Sequence, residues 1–263
     1  MARILAISSH VVRGNVGLGA TVPPLQWLGH EVWALPTVIL ASRPGLGRMV
    51  RHALPLPDLA AMLAGLETDG CWGKLDAVFT GYFPSPGAVS AVGEALARIR
   101  QANPRALVLV DPILGDAGRL YVGEDTARAI RDTLLPLADI TTPNLFELQW
   151  LTGTAPSSTD DIAQAARTLG PPKVLVTSAV ETTGEIATLL VGAGPPAERL
   201  LTTRAGIPNG AGDLLAGLLL GYLLDGQTIE AALDASLAAL DRVLAASTGR
   251  DVLQLSVLNG SPP

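Results

Sequence analysis

The sequence predicts an α/β fold in which helices flank a central, mostly parallel β-sheet. Short apolar runs alternate with longer segments of helical periodicity along most of the 263 residues. A typical run, residues 106–110, is apolar at every position. Strands of a parallel sheet have this composition because helices cover both of their faces. Strands that alternate with helices of this length predict βαβ units, which connect parallel strands.

The predicted elements follow one another in this alternating order. Strands are expected at residues 3–8, 31–35, 76–80, 106–110, 138–141, 173–177 and 185–191. Helices are expected between several of them, at residues 57–66, 87–101, 125–134 and 160–169. Two long Ala/Leu-rich segments near the end, 211–224 and 228–246, are typical of buried packing helices. No linker rich in Gly, Ser or Pro divides the chain, so we expect one domain over residues 1–263.

The composition excludes several classes of protein. A hydrophobic fraction of 48% with only 16% charged residues allows a large core. The net charge of −6 and the lack of a basic run argue against a nucleic-acid partner. Cys71 is the only cysteine, which excludes an intramolecular disulfide framework and a cysteine zinc site. The three histidines are scattered and form no pattern of metal ligands.

The apolar segments predict no membrane partner. The first of them, residues 3–8, has the pattern of a strand and not of a signal peptide. The most apolar one, residues 214–224, is too short to span a bilayer, which takes about 20 residues. We therefore expect a soluble protein in the cytoplasm.

Polar residues follow five of the predicted strands, at the points where the apolar runs end. They are Ser8-Ser9-His10, Gly81-Tyr82, Asp111-Pro112, Thr142-Pro143-Asn144 and Thr177-Ser178. In a parallel sheet these groups meet at one edge, where ligands of such folds bind. Any one of them could be an ordinary turn, because turns favour the same residue types. Five together favour a shared site.

The segment Asn209-Gly210-Ala211-Gly212-Asp213 precedes the first of the two apolar helices. Glycines before a helix let backbone N–H groups approach an anion, and the helix N-terminus favours negative charge. Asp213 would then lie beside a bound phosphate, although it could also simply cap the helix. The segment matches neither the Walker A loop nor the dinucleotide-binding fingerprint.

Asn144 and Glu147 lie three residues apart, on one face of a predicted helix. This spacing is that of a capping box, in which the two side chains bond to the helix N-terminus. It would also suit a Mg²⁺ site, since Asp111 and Asp116 are expected near the same edge. Mg²⁺ usually takes one or two carboxylates, waters and substrate phosphates. Both interpretations stay open.

Two glycine-rich segments remain. Residues 115–121 lie between a strand and a helix, where they could form a lid that excludes water or an ordinary connection. Residues 17–20, Gly-Leu-Gly-Ala, are more typical of close packing than of a phosphate loop.

The chain resembles the pyridoxal kinase family of the ribokinase-like superfamily over nearly its whole length. The resemblance rests on six segments that occur in the order and spacing of that family. They are Ser9-His10-Val11, Pro24-Leu25-Gln26, Thr80-Gly81-Tyr82, Asp111-Pro112-Ile113-Leu114-Gly115-Asp116, Thr142-Pro143-Asn144 with Glu147, and Gly210-Ala211-Gly212-Asp213. It implies a three-layer α/β/α fold, usually in a homodimer, that phosphorylates the 5′-hydroxymethyl group of pyridoxal with ATP.

The resemblance also implies roles for individual residues. Asp213 would be the base for the substrate hydroxyl, and Ser9 and Tyr82 would contact the pyridine ring. The anion hole would consist of Gly210, Ala211 and Gly212. Residues that serve ATP and Mg²⁺ would be Asp111, Asp116, Asn144 and Glu147. The other nucleotide and ion contacts would come from Thr177 and Ser178 beside the nucleotide, Tyr121 in the lid, and Thr142 at a monovalent cation such as K⁺.

One segment departs from the family. The resemblance implies Phe-Ser-Asn-His-Thr around the vitamin, where this chain has Leu40-Ala41-Ser42-Arg43-Pro44. Arg43 and Pro44 remain predicted substrate contacts, but the preferred form of vitamin B6 is open, because lost hydrogen-bonding groups change discrimination strongly. The alternatives are a hydroxymethylpyrimidine or sugar kinase of the same superfamily, or an inactive protein that binds the vitamin. The early Gly-Ser-Asp and paired-glycine patterns typical of the rival kinases are absent.

Overall fold

The structure, a computed structural model, describes residues 1–43 and 50–258. Its strands are β1 (Arg3–Arg13), β2 (Glu31–Ser42), β3 (Arg51–Ala53), β4 (Ala77–Thr80), β5 (Leu107–Val110), β6 (Gly115–Asp116), β7 (Arg119–Leu120), β8 (Ile140–Thr141), β9 (Lys173–Thr182), β10 (Glu185–Val191) and β11 (Ala197–Thr202). Its α-helices are α1 (Leu18–Trp27), α2 (Leu56–Thr68), α3 (Pro86–Ala102), α4 (Glu124–Ala129), α5 (Leu145–Thr152), α6 (Thr159–Arg167), α7 (Ala211–Leu224) and α8 (Ile229–Ser247). Short helical turns cover Trp72–Lys74, Ile130–Leu134, Leu135–Leu137 and Leu255–Leu258.

Nine strands form one sheet in the order β3-β2-β1-β4-β5-β8-β9-β10-β11. The six strands from β2 to β9 in this order pair in parallel, and the outer strands β3, β10 and β11 pair antiparallel. The predicted mostly parallel sheet is therefore confirmed. The chain turns from β1 to one side for β2 and later continues on the other side with β4. Such a reversal of strand order opens a crevice at the carboxyl ends of the strands.

Helices cover both faces of the sheet and make three layers. Along β1, Ile4 and Ala6 pack against the cluster that contains α1, α7 and α8. The alternate residues Leu5 and Ile7 pack against the cluster that contains α2 and α3. Helices α5 and α6 extend this second layer over β9. The predicted three-layer α/β/α fold is confirmed.

The predicted ends of three strands, β1, β2 and β9, are wrong, and β2 continues past residue 35 to Ser42. β1 continues through Ser8 and Ser9 to Arg13, because these residues keep pairing with β2 after a register shift between the two serines. β9 likewise continues past Thr177 to Thr182 and pairs with β10. The apolar runs ended earlier because the second half of each strand mixes polar and exposed residues with buried ones. The polar groups of these two segments therefore lie inside strands.

The elements that the sequence prediction missed lie at the edges of the sheet or outside it. β3 is fully exposed, and β11 shows no buried residue, so neither contains an apolar run. The segment predicted as a lid or connection contains the small hairpin β6–β7. The helix predicted at 125–134 ends at Ala129 and continues as a wider turn over Ile130–Leu134.

In the part of the chain that the structure describes, no helix has the length and apolar character needed to cross a membrane.

Candidate active site

Three of the polar strand ends share one face of the sheet. Ala6, Phe79 and Leu109 belong to the core cluster around α7. Side chains two residues apart on a strand point to the same face, so Ser8, Gly81 and Asp111 continue this face beyond the core. The N-terminus of α7 lies on the same side. The candidate site is therefore the crevice between these strand ends and α7.

Ser8 fixes the turn that follows β4. The backbone N–H of Tyr82 donates a 3.0 Å hydrogen bond to Ser8 Oγ, and the Tyr82 carbonyl accepts one from Thr37 Oγ1 at 2.8 Å. A Cβ atom at Gly81 would lie 2.5 Å from Ser8 Oγ, so only glycine fits there. These contacts hold the half-buried Tyr82 at the crevice, just after β4, which pairs with β1 where the strand order reverses.

The glycine turn before α7 has the geometry of an anion site. Gly210 precedes the helix with φ +112°, a conformation that favours glycine, and a Cβ there would overlap the backbone oxygen of Asn15. The helix begins at Ala211, with Gly212 and Asp213 following in its first turn. The first N–H groups of a helix have no intrahelical acceptor and carry partial positive charge. No side chain caps this helix, which leaves those N–H groups for a bound anion.

Asp213 contains a buried oxygen without a partner. Its Oδ1 atom is shielded from solvent and accepts no hydrogen bond from the residues described. Burial raises the pKa of Asp213 to about 6, and a backbone hydrogen bond from Gly17 offsets part of the shift. Thr21 Oγ1 donates a 3.2 Å bond to the Asp213 carbonyl and holds the backbone in place. A buried carboxylate oxygen that lacks a donor is costly, which suggests a role in chemistry or ligand binding.

Gly17 connects Asp213 to the first strand. It has φ +56°, and a Cβ at this position would overlap the backbone oxygen and Oγ of Ser9. Ser9 and Asp213 therefore both border Gly17. The negative charge of Asp213 also contributes to a raised pKa at Asp111. The structure thus brings Ser9, Asp111 and Asp213 together, as the sequence predicted.

Asp111 lies among acidic groups. Burial raises its pKa well above the usual value, the charges of Glu147 and Asp213 raise it further, and a hydrogen bond from Thr142 opposes them. That bond joins Thr142 Oγ1 to Asp111 Oδ1 at 2.9 Å. Within residues 1–43 and 50–258, no three His, Cys, Asp or Glu side chains are grouped so that they could hold a metal by themselves. A cation that arrives with substrate phosphates needs only one or two carboxylates, and Asp111 is suited to such an ion.

Asn144 and Glu147 form the capping box of α5. Asn144 Oδ1 accepts from the Glu147 N–H at 2.8 Å, and Glu147 Oε2 accepts from the Asn144 N–H at 2.8 Å. Glu147 Oε1 also accepts from the N–H groups of Leu114 at 2.9 Å and Gly115 at 3.3 Å. Burial nevertheless raises the pKa of Glu147 to about 7, because desolvation outweighs these bonds. The capping-box interpretation is confirmed, and a metal role stays a prediction.

The segment 115–121 is a hairpin that docks on this capping box. Ala117 and Gly118 both have positive φ, at 48° and 76°, as in a type I′ turn. Asn144 Nδ2 donates to the Gly115 carbonyl at 2.9 Å, which adds to the two bonds that Glu147 accepts from Leu114 and Gly115. Asp116 is exposed, and its Oδ1 accepts from the Ala117 N–H at 2.7 Å. The segment is thus an ordered hairpin between β5 and α4, and its role as a lid stays a prediction.

Tyr121 follows the hairpin. Its N–H donates to the Leu114 carbonyl at 2.7 Å, while its side chain is 54% exposed. Partial burial and the charges of Asp116 and Glu147 raise the pKa of its hydroxyl. This location fits the predicted lid position, and its contact with a nucleotide stays a prediction.

The remaining predicted residues lie around this centre. The Thr177 N–H donates to the Pro143 carbonyl at 2.9 Å, and the exposed Ser178 has φ +48°. Arg43 follows β2, and its Nε donates to the Asp251 carbonyl at 2.7 Å. Its role toward a substrate stays a prediction. Pro44 lies outside the described residues.

Sequence reasoning gave no role at the site to three residues of the crevice. Gly17 and Thr21 hold Asp213, and Asn15 supports Gly210. The expectation of close packing at residues 17–20 is confirmed at Gly17. Its partner at position 213 is almost 200 residues away, so no local pattern pointed to it.

An α/β fold that presents a glycine turn and a helical carboxylate to a shared strand edge is typical of ribokinase-like small-molecule kinases. Comparisons with known proteins place the chain in that class. Residues 70–254 match the family model described as phosphomethylpyrimidine kinase. The chain is 39% identical to pyridoxal kinase PdxY of Deinococcus radiodurans over 92% of its length and 85% of the relative. It is 36% identical to the pyridoxine/pyridoxal/pyridoxamine kinase of Bordetella avium, over 98% of this chain and 90% of that relative. The chain belongs to the pyridoxal kinase family.

Solved structures agree with this assignment. Pyridoxal kinase from Entamoeba histolytica superposes with a TM-score of 0.92 at 27% identity, covering 99% of this chain and 96% of that one. Pyridoxal kinase from Leishmania donovani in complex with ADP and pyridoxine superposes with a TM-score of 0.89 at 28% identity, covering 97% and 92%. The fold is therefore ribokinase-like across almost the whole chain.

Proposed function

We propose that this protein transfers the γ-phosphoryl group of ATP to the 5′-hydroxymethyl group of pyridoxal, giving pyridoxal 5′-phosphate and ADP. Pyridoxine and pyridoxamine are further candidate acceptors. The observation that carries the proposal is the unpartnered, buried oxygen of Asp213 beside the glycine turn of α7. Relatives named as pyridoxal kinases, and the complex of one with ADP and pyridoxine, support the choice of substrates.

Asp213 would accept the proton of the acceptor hydroxyl. A carboxylate with a pKa of about 6 is ionised at neutral pH and is a stronger base than an ordinary aspartate. It still cannot deprotonate a free alcohol, so the proton would move late, as the new P–O bond forms and the oxygen acidifies. Ser9 and Tyr82 would hold the pyridine ring in the crevice.

The N-terminus of α7 would bind the phosphoryl group while it is transferred. No side chain caps the start of α7, and backbone dipoles there favour negative charge. The anion would bind to the N–H groups of Gly210, Ala211 and Gly212. Phosphoryl transfer depends mainly on positioning and on charge stabilisation. The position of Asp213 in the same helical turn would put the base next to the acceptor oxygen.

The nucleotide would lie across the ends of β5, β8 and β9. Asp111, Asp116 and Glu147 are the candidate residues for Mg²⁺ that arrives with ATP, and the gathered negative charge around Asp111 suits a cation. Bound Mg²⁺ would neutralise the charge of the phosphates. Thr142, bonded to Asp111, is the candidate for a monovalent cation such as K⁺. Asn144, Thr177 and Ser178 would border the nucleotide, and Tyr121 would cover it.

Two further proposals follow from the family. The protein would act as a homodimer, which light scattering after size-exclusion chromatography would test. It would act in the cytoplasm, where ATP is available.

Product formation with a panel of acceptors tests the function. ADP release is measured with pyridoxal, pyridoxine, pyridoxamine and hydroxymethylpyrimidine, with Asp213→Asn as the control protein. We expect turnover with at least pyridoxal and much slower turnover with the pyrimidine. Hydroxymethylpyrimidine kinase is the second candidate function, which the match to a model described as phosphomethylpyrimidine kinase favours, and turnover with the pyrimidine alone would support it instead. Binding of pyridoxal without ADP release would indicate an inactive vitamin-binding protein.

A further inference from the structure

The turn that starts α7 rests on a residue outside the predicted machinery. The backbone oxygen of Asn15 packs so closely on Gly210 that a Cβ there would overlap it. Asn15 lies in the connection between β1 and α1, two residues before Gly17. That connection therefore contacts both Gly210 and, through Gly17, the carboxylate of Asp213.

The side chain of Asn15 is fixed by the far end of the chain. Asn15 Nδ2 donates a 2.7 Å hydrogen bond to the carbonyl of Leu253, 238 residues later. Leu253 is 1% exposed, and its Cδ1 would lie 3.1 Å from a Cβ at Gly210. The turn at Gly210 is therefore supported by Asn15 on one side and by Leu253, which binds the Asn15 side chain, on another.

Residues 249–254, here called the C-terminal strap, have several attachments near the crevice. The Gly249 N–H donates to the Gly206 carbonyl at 3.1 Å, just before the glycine turn. Arg13 pairs with the Asp251 carboxylate at 3.1 Å, and Arg43 Nε donates to the Asp251 carbonyl at 2.7 Å. The strap thus connects the ends of β1 and β2 with the segment that leads into α7.

We propose that Asn15 is a positioning residue for the phosphate turn and for Asp213. This inference rests on the proposed kinase function. Asn15 would touch no substrate. Its hydrogen bond to the strap would hold the β1–α1 connection in place, and that connection sets where Gly210 and Asp213 lie. Catalytic groups must be held within about 0.5 Å of their working positions, and small displacements slow a reaction strongly.

Kinetics of Asn15→Ala and Asn15→Asp test the proposal. Aspartate at this position keeps the shape of asparagine, but its carboxylate cannot donate a hydrogen bond to the Leu253 carbonyl. We expect kcat to fall roughly ten- to hundredfold in both variants, with KM for pyridoxal unchanged. Aluminium fluoride bound with ADP mimics the phosphoryl group in the transition state. Affinity for this pair should fall by the same factor as kcat, while affinity for ADP alone stays the same.

Asn103→Ala is the matched control. Asn103 Nδ2 donates to the Leu75 carbonyl at 2.8 Å, and Asn103 is half-buried like Asn15. It lies before β5, at the opposite edge of the sheet from the crevice. The control should lose a similar amount of thermal stability and keep the kinetics of the wild type.

Hydrogen exchange separates this inference from the proposed function. Amides of residues 206–214 should exchange faster in both Asn15 variants than in wild type or Asn103→Ala, whatever reaction the protein catalyses. Unchanged exchange there would overturn the inference even in an active kinase. Equal losses of kcat in the Asn15 and Asn103 variants would also overturn it, because the effect would then be general destabilisation.

Discussion

Asp213 is half-buried with one shielded oxygen and Glu147 is fully buried, and these two carboxylates in the first turns of two helices differ in how their oxygens are satisfied. Asp213 Oδ1 has no partner among the described residues, and its helix has no side-chain cap. Glu147 accepts three backbone N–H bonds and closes a capping box. Burial raises the pKa of both.

The difference separates a carboxylate available for chemistry from one used for structure. A buried oxygen without a donor is unfavourable in the folded protein and is retained where a ligand or proton will use it. A carboxylate surrounded by N–H donors stabilises the segments that supply them. On this basis Asp213 is the candidate base, and Glu147 first of all holds the β6–β7 hairpin on α5.

The largest expected effect is on turnover in Asp213→Asn. Asparagine keeps the shape of the side chain but cannot accept the proton, so kcat should fall by roughly 10²–10⁴-fold with little change in KM. Steady-state kinetics with pyridoxal and ATP measure this. Near-normal turnover would remove Asp213 from the role of base and end the contrast with Glu147.

The next effect is expected at the glycine turn. Gly210→Ala adds a Cβ that overlaps Asn15 at φ +112°, so we expect roughly 2–3 kcal/mol less stability and a lower kcat. Urea unfolding measures the first and kinetics the second. Gly212→Ala is the stability control, because nothing lies within 4 Å of its added Cβ. Equal stability of both variants would contradict the close approach of Gly210 to Asn15.

Removal of the Glu147 side chain tests the structural role. Glu147→Ala leaves three buried N–H groups without their acceptor, at about 1–3 kcal/mol each, so the hairpin should open more often. Trypsin should then cleave after the exposed Arg119 at least about tenfold faster, which the mass of the peptide that starts at Leu120 would measure.

Glu124→Ala is the control for that experiment, since Glu124 is an exposed residue of α4 that pairs with Arg128. Its cleavage after Arg119 should match the wild type. Unchanged cleavage in Glu147→Ala, together with a much higher Mg²⁺ requirement for turnover, would show that Glu147 serves the metal and not the hairpin.

The smallest effect is on stability in Asp213→Asn. The raised pKa means that the folded state binds this proton more tightly than the unfolded chain. The resulting stabilisation is complete below pH 3.8 and is lost as the pH rises through about 6. At pH 8 the variant should therefore be more stable than wild type by about 1 kcal/mol, after allowance for partial exposure. Urea unfolding at pH 8 and pH 4 checks this, and a variant less stable at pH 8 would contradict it.

The sequence predicted the buried part of the fold better than its margins. Residues 106–110 are all apolar and residues 185–191 mostly so, because these strands are largely buried, and both could therefore be found. β3 and β11 are exposed and depend only on pairing with a neighbouring strand, which leaves no periodic signal. The predicted strand ends at Ser8 and Thr177 were misplaced because the apolar runs stop there, although both strands continue to pair with a neighbour.

The site divides in a similar way. The glycine turn with Asp213 has a local pattern, and the sequence located it. Asn144 and Glu147 have the spacing required by a capping box and by a metal pair, so only the contacts of Glu147 with Leu114 and Gly115 identify their structural role. The support of Gly210 by Asn15 joins residues far apart in the chain and has no sequence pattern at all.

The pH dependence of kcat/KM for pyridoxal is the most direct test of Asp213 as the base. A base with a pKa of about 6 predicts a constant kcat/KM above pH 7 and a tenfold fall per pH unit well below 6. The residual activity of Asp213→Asn should lack this fall. A wild-type profile that stays flat to pH 5, or an Asp213→Asn profile with the same fall, would contradict the assignment.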